Sequence, residues 1–319
     1  MSGRRARSLC VLALLSACRV VPRVPAPVVP ESAVGDEFVV RGERFAIGTP
    51  VVLWFEPGGY DAYDTRSPRE GSAVGLRYRP QRRAQDPALA ERVAREGWTL
   101  DLLREEVDLF VVHYDACGTS AACFETLQEE RGLSVHFLLD VDGTLYQTLD
   151  LAEEAWHARA ANPRSIGVEV AHVGAFPPGE PSPADPWYVR DEEGTRLVIP
   201  ERWARTIRTP GFAGRPARPE PVVGPIHGVD YLQYDFTEEQ YASLAKLAAA
   251  LSRIFPRIAL DVPRAADGSV RTDALADEEE VAFHGIVGHY HLQDDKRDPG
   301  PAFDWERFLG DAHRLAAVP

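Results

Sequence analysis

GIVGHYHLQDDKRDPGPAFDW, residues Gly285 to Trp305, sets an apolar Gly-Ile-Val-Gly run directly before two histidines, a block of acids, a Lys-Arg pair and an Asp-Pro-Gly turn. An apolar run that stops abruptly in polar groups reads as a buried strand whose end opens on a site, because α/β folds place their chemistry beyond strand ends. The pattern occurs a second time: Leu109 to Val112 is an apolar run and His113 follows it. Each histidine alone is explained as a hydrogen-bonded polar group at a strand end. Together they invite a metal, with Asp298 at the Asp-Pro-Gly turn as candidate third ligand, since the turn brings the chain back toward His289.

Working outward, strands alternate with helices. Residues 87 to 106 predict two short helices, Ser120 to Arg131 predicts a longer one, and Val135 to Leu149 predicts a β-hairpin turning at Asp142-Gly143. Ser165 to Ala171 is a further strand. Thr237 with Gln240 makes a capping box; Tyr241, Leu244, Ala248, Leu251 and Phe255 then share one helix face until Pro256. Asp304 to Ala316 closes the chain as a helix. The fold class that follows is α/β, a mixed central β-sheet flanked by helices. Residues 36–100, which begin with alternating, glycine-broken segments, are expected to form a β-rich N-terminal extension packed on a domain spanning 101–319. Residues from about 174 to 236, rich in Pro, Gly and Arg without a period, are expected to be an insertion or long loop in that domain.

Charge and address restrict the function. A net charge of −14 gives no electrostatic support to a nucleic-acid surface, which excludes that class of partner. Residues 1–17 read as an export signal: Arg4, Arg5 and Arg7, then a short apolar stretch, then Leu15-Ser16-Ala17 before Cys18. This ending resembles a bacterial lipobox, which implies cleavage before Cys18, lipidation of its thiol and a Pro-rich tether over 18–35. The expected location is the periplasm, lipid-anchored to a membrane; Arg19, rather than Asp, after the cysteine favours the outer one. With Cys10 and Cys18 accounted for, Cys117 and Cys123 remain in an oxidising compartment. A local disulfide is expected, two buried thiols being the alternative.

Four motifs in order, VVHYDACGTSAAC, SVHFLLDVDGTLYQ, AWHARAANPRSIGVEV and the opening stretch, resemble the zinc-dependent N-acetylmuramoyl-L-alanine amidases of the AmpD and AmiD type, relatives of peptidoglycan recognition proteins. The resemblance covers residues 108–172 and 237–308 and leaves 36–100 outside. It implies that fold, a Zn2+ cofactor held by His113, His289 and Asp298, Glu169 as general base, and Lys296 as the charge that steadies a tetrahedral oxyanion. It also implies substrate contacts at His157 and Asn162, the alternative for both being hydrogen bonds that stabilise their loop, and Cys117 with Cys123 resembles the small disulfide that recognition proteins hold after their first histidine. The implied activity, for a single copy of the chain, is hydrolysis of the amide between the lactyl group of muramic acid and L-alanine in peptidoglycan or muropeptides. The alternative is a binding protein that holds muropeptide without cutting it, as recognition proteins lacking a zinc ligand do. All three ligand positions and Glu169 are filled here, which favours the enzyme.

Departures from the family are local. His289 and Asp298 lie nine residues apart, one fewer than the commonest AmpD-type spacing, so a shortened loop is expected before Lys296. Val135 stands where many recognition-protein amidases carry a tyrosine. His136 reads as a packed hairpin residue. His291, alternating with His289 along an extended segment, is expected to face away from the site. Trp187, Tyr188 and Trp203 are expected to anchor the insertion, the alternative being that they wall a glycan site.

Overall fold

A computed structural model describes residues 35–65, 75–179 and 181–318; the expected signal peptide, Cys18 and all but the last residue of the tether lie outside the described residues. The hairpin β1 (Gly35–Val40) and β2 (Glu43–Leu53) opens the fold. A short β3 (Tyr78–Arg79) and the helices α1 (Pro87–Glu96) and α2 (Leu100–Glu106) lead into β4 (Leu109–Tyr114). Next come α3 (Ser120–Glu125), the hairpin β5 (Phe137–Leu139) and β6 (Leu145–Gln147), β7 (Glu154–Ala155) and β8 (Ser165–Val170). The insertion holds β9 (Tyr188–Asp191), β10 (Gly194–Leu197), α4 (Glu201–Ala204), β11 (Val222–Ile226) and β12 (Val229–Gln233). The long helix α5 (Glu238–Ile254), α6 (Asp277–Ala282), β13 (Gly285–Gly288), the single turn α7 (His289–Leu292) and α8 (Trp305–Ala316) complete it.

Seven strands make one mixed sheet in the order β1-β2-β6-β5-β8-β4-β13. Its working half, β5, β8, β4 and β13, is wholly parallel. Parallel strands are covered on both faces, which is why β4 and β13 read as unbroken apolar runs. Phe110, Val112, Ile166, Val168 and Ile286 face one core together with Leu244, Leu247 and Leu251 of α5 and Phe308 of α8. Each such burial stabilises by roughly 1.5–3 kcal/mol. Leu109, Val111 and Val287 face the opposite side, where a smaller cluster with Ala158 and Ala161 leaves room for the site.

The caps follow the sequence. Thr237 Oγ1 accepts from the Gln240 amide at 3.1 Å while Gln240 Oε1 accepts from Thr237 N at 3.0 Å, so two otherwise orphaned donors at the start of α5 are satisfied. Asp304 caps α8 through Arg307 N at 3.1 Å.

Four expectations are revised. Residues 36–100 are not a layer laid on the domain: β2 pairs in parallel with β6, so the extension supplies the edge of the main sheet. The insertion is not a loop but two β-ribbons, β9 with β10 and β11 with β12, tied down by Phe176–Leu232 pairing and by Tyr188 stacked on Tyr234 at 3.8 Å. Ribbons of four or five residues carrying Pro225 and Gly224 are too short and too interrupted to show a period. The helix expected from Ser120 to Arg131 changes at Thr126 into a π-helical turn that ends at Gly132 with φ 63°. His291 lies on a helical turn, not an extended segment, yet still turns from the site: its Nε2 lies 2.9 Å from Arg271 O, and Nδ1 accepts from Gly288 N at 2.9 Å.

Insertion and sheet are joined at His172, whose Nε2–H donates to Tyr234 O at 2.9 Å and whose Nδ1 accepts from Gly174 N at 2.9 Å. Burial pushes this imidazole down to about 4, against a smaller upward pull from the Tyr234 carbonyl. Between its unfolded value near 6.5 and about 4, the unfolded chain therefore binds the extra proton, and stability falls as pH falls through that window. Urea midpoints at pH 7 and pH 5 should show a smaller loss in His172→Gln than in the parent, by up to about 1.4 kcal/mol per pH unit; equal losses would show that His172 does not contribute. Thr237→Ala should cost about 1 kcal/mol in the same assay at pH 7.

Candidate functional site

Three adjacent parallel strands deliver the site. Val112 pairs with Gly288 and His113 with Glu169, so His113 on β4, Glu169 on β8 and His289 just past β13 stand at one level. His113 and Glu169 alternate with the core-facing residues Val112, Val168 and Val170, and so project from the face opposite α5 and α8. Asp298 is brought back by its own carbonyl, which accepts from Tyr290 N at 3.1 Å.

His113 Nδ1, His289 Nδ1 and Asp298 Oδ2 form a nearly equilateral triangle. The separations are 3.0 Å between the two nitrogens, 2.9 Å from His113 to the carboxylate oxygen and 3.0 Å from His289 to the same oxygen. Among the described residues this is the group of His, Cys, Asp or Glu placed to hold a metal ion. The donor chemistry fits: two nitrogens and one oxygen converging with a corner left open is the ligand set of a catalytic zinc site. Burial, then the nearby His289, pushes His113 down to about 4, so its ring is neutral with a lone pair to offer. Burial by itself would raise Asp298, but the two imidazoles outweigh it and hold the carboxyl well below its usual range.

Each imidazole is oriented from behind. His113 Nε2 lies 3.0 Å from His157 Nδ1, and His157 Nε2 lies 3.2 Å from Ser165 Oγ. A proton on each Nε2 makes this a chain of donors that leaves His113 Nδ1 free. His289 Nε2 lies 2.7 Å from the Gln293 amide nitrogen, while Gln293 Oε1 is buried without a partner among the described residues. Turning the amide end for end gives Nε2–H an acceptor, satisfies the oxygen and leaves Nδ1 as the metal-facing atom. Gly167 makes the packing possible, because a Cβ there would meet His157 Nδ1 and Cε1 at 2.6 Å.

Glu169 is the carboxylate beside the triangle. Its Oε2 is buried with no partner among the described residues. Burial raises its pKa well above the ordinary value, and Asp298 and Asp115 raise it further. Lys296 lines the same cleft, and its positive charge is felt at His113. The cleft encloses about 990 Å³; Leu127 and Trp156 stand on one side, and Ile226 and Tyr231 of the insertion on another.

The structure thus brings together His113, His289, Asp298, Glu169 and Lys296 in one cleft. His157 and Asn162 also line it, but both have internal tasks: Asn162 Oδ1 accepts from His157 N at 3.1 Å and Ala158 N at 2.6 Å, fixing the loop. Cys117 and Cys123 line the cleft as two thiols in this structure. They are hydrogen-bonded to each other, which draws the Cys117 thiol down to about 7. His136 is packed, its Nδ1 accepting from Gly167 N at 3.2 Å. Sequence reading missed Gln293, Ser165 and Gly167. The available signals were the four-residue offset of Gln293 from His289 and the alternation of Ser165, Gly167 and Glu169 on one strand face.

Comparison with known proteins agrees in part. The family model described as N-acetylmuramoyl-L-alanine amidase, Amidase_2, matches residues 103–205, a span that holds His113, His157 and Glu169 and ends before His289 and Asp298. No curated protein matches the chain. Among solved structures, a selenomethionine derivative of AmpD is 21% identical, covers 65% of this chain and 86% of its own, and has a TM-score of 0.33. AmiD from E. coli, in complex with the substrate anhydro-N-acetylmuramic acid-L-Ala-D-gamma-Glu-L-Lys, is 17% identical over 65% of this chain and 57% of its own, with a TM-score of 0.35. The hydrolase AmiA of Staphylococcus aureus, in complex with its ligand, is 11% identical over 75% and 95%, with a TM-score of 0.37.

Because Gln293 orients His289, Gln293→Ala should weaken metal binding about 10–100-fold. Zinc competition against a chromophoric chelator measures this; unchanged affinity would show that the amide does not support the site.

Proposed function

We propose that this protein is a zinc-dependent amidase that cleaves the amide between the lactyl group of N-acetylmuramic acid and L-alanine in peptidoglycan or muropeptides. The observation that carries the reading is the His113–His289–Asp298 triangle beside Glu169, whose Oε2 has no partner among the described residues, in a cleft large enough for a sugar-peptide. The amidase family match over 103–205 supports the reaction class.

His113, His289 and Asp298 would hold the ion, which when bound supplies Lewis acidity toward the scissile carbonyl and a water of lowered pKa. Glu169 takes a proton from the attacking water through Oε2 as the new C–O bond forms, and passes it to the alanine nitrogen as the C–N bond breaks. The raised pKa of Glu169 suits both halves of this task, since a carboxyl of ordinary acidity is a poor proton donor near neutral pH. Lys296 places its ammonium in the same cleft, where it offsets negative charge on the carbonyl oxygen. His157 and Gln293 hold the two imidazoles in the tautomer that leaves Nδ1 available. The products are a lactyl-ether sugar acid and a peptide with a free L-alanine amine. With the export reading of residues 1–35, the reaction takes place at a periplasmic membrane surface with the chain as a lipid-anchored monomer, and an oxidising periplasm closes Cys117 to Cys123.

Defined muropeptides incubated with the soluble domain, with and without chelator, and read by mass spectrometry, test this. Metal-loaded protein should release both products. Glu169→Gln should keep its metal and lose roughly 10²–10⁴-fold in turnover, whereas Asp298→Ala should lose stoichiometric metal. Binding of the muropeptide without any cleavage by the metal-loaded parent would replace the amidase reading by that of a receptor.

A further inference from the structure

The buried guanidinium of Arg82 belongs to the N-terminal extension, outside every motif that points to the site, yet it ends beneath the site. The residue is 4% exposed. Among the described residues none of its hydrogen bonds goes to a carboxylate. Instead it is caged by carbonyls: Nε donates to Leu151 O at 2.9 Å, and Nη1 donates to Asn162 O, Pro163 O and Ser165 O at 3.3, 3.0 and 2.8 Å. Nη2 packs against the His136 ring, 3.0 Å from Nε2, whose own proton goes to Glu153 O at 3.1 Å. Burial disfavours this cation; the nearby carboxylates of Glu154, Glu106, Glu153 and Asp150 offset part of that cost from a distance, and the carbonyl cage supplies its direct contacts.

What the cage holds is specific. Arg159–Arg164 is a short 3₁₀ helix, and Arg82 reaches the carbonyls at and just past its end: Asn162 O, which also accepts from Ser165 N, then Pro163 O and Ser165 O. Arg82 is therefore its C-terminal cap, a position that favours positive charge. Two routes lead from this cap to one ring. Along the first, the capped turn carries Asn162, whose Oδ1 fixes the backbone of His157 and Ala158. Along the second, His136, packed against Nη2, accepts from Gly167 N at 3.2 Å, and Gly167 is the floor on which the His157 ring lies. His157 in turn meets His113 Nε2 at 3.0 Å.

On the amidase reading above, we propose that Arg82 is a positioning residue of the metal site: by capping the Arg159–Arg164 turn and bracing His136 it fixes His157, and through it the ring of His113. The extension, on this account, is part of the catalytic apparatus although it touches no substrate. Lysine cannot replace arginine here, since an ammonium lacks the planar fork that reaches Leu151, Pro163 and Ser165 at once.

The test compares Arg82→Lys with Arg77→Lys, a control that also removes a buried guanidinium from the extension, one that donates to Gln128 O at 2.5 Å. Both are measured for urea stability, zinc affinity by chelator competition, the visible spectrum of the Co2+-loaded protein, and kcat and KM on a defined muropeptide. Arg82→Lys should lose about 10–100-fold in zinc affinity and in kcat, shift the Co2+ bands, and keep KM within about threefold. Arg77→Lys should lose stability alone. Parent-like zinc affinity and Co2+ bands in Arg82→Lys, or equal metal losses in both variants, would overturn the proposal. Should Arg82→Lys fail to fold, His136→Gln, which leaves the carbonyl cap in place, should still lose at least about tenfold in zinc affinity, and no loss would overturn it. The metal measurements separate the two readings: if the parent binds zinc but never cleaves, the amidase reading falls while the metal losses in Arg82→Lys still support its positioning role.

Discussion

Register between three parallel strands is the constraint on which the rest depends. β13, β4 and β8 are aligned so that Gly288 meets Val112 and His113 meets Glu169. Adjacent strands lie about 4.8 Å apart, so residues at one level on one face are automatically within reach of a shared ion or water. A slip of one residue in β4 would turn His113 into the core with Phe110 and Val112 and present an apolar side chain to the cleft. The unbroken apolar runs before each polar group resist such a slip, because α5 and α8 bury the opposite face tightly.

A site at that level is deep, and depth makes every polar atom expensive unless partnered. The arrangement answers this with two imidazoles, each backed by a hydrogen-bonding neighbour, around one ionised carboxylate. Glu169 and Asp115 depart from this, each with a buried oxygen that lacks a partner among the described residues and with a raised pKa, and of the two Glu169 is paired in register with His113. Shifted acidity of this kind clusters at functional sites.

Regions outside the recognisable motifs carry much of this support. The extension adds the sheet edge and the Arg82 cap. The insertion supplies a cleft wall, and His227 on its second ribbon lies with Nε2 2.8 Å from the carbonyl of Lys296, which ties the ribbon to the loop between His289 and Asp298. Arg297 beside it donates to Tyr114 OH at 3.0 Å and lies over Tyr231, so the loop between His289 and Asp298 is held on both flanks.

The sequence by itself determined the strand ends, the capping box of α5, the amphipathic closing helix and the residue types of the triangle, because each is written in neighbouring positions as an apolar run, an offset of three or a helical period. It also supplied Glu169, whose charge amid Ile166, Val168 and Val170 is conspicuous in one dimension. Only the tertiary structure decided that residues 36–53 join the sheet, that the Pro- and Gly-rich insertion folds into ribbons, that Asn162 braces a loop, and that Arg82 and Gln293 stand behind the site. The physical reason is common to all of these: an edge strand, a short ribbon, a buried cation and an orienting amide draw their stability from partners distant in the chain, and one residue's type says nothing of where its partner will arrive.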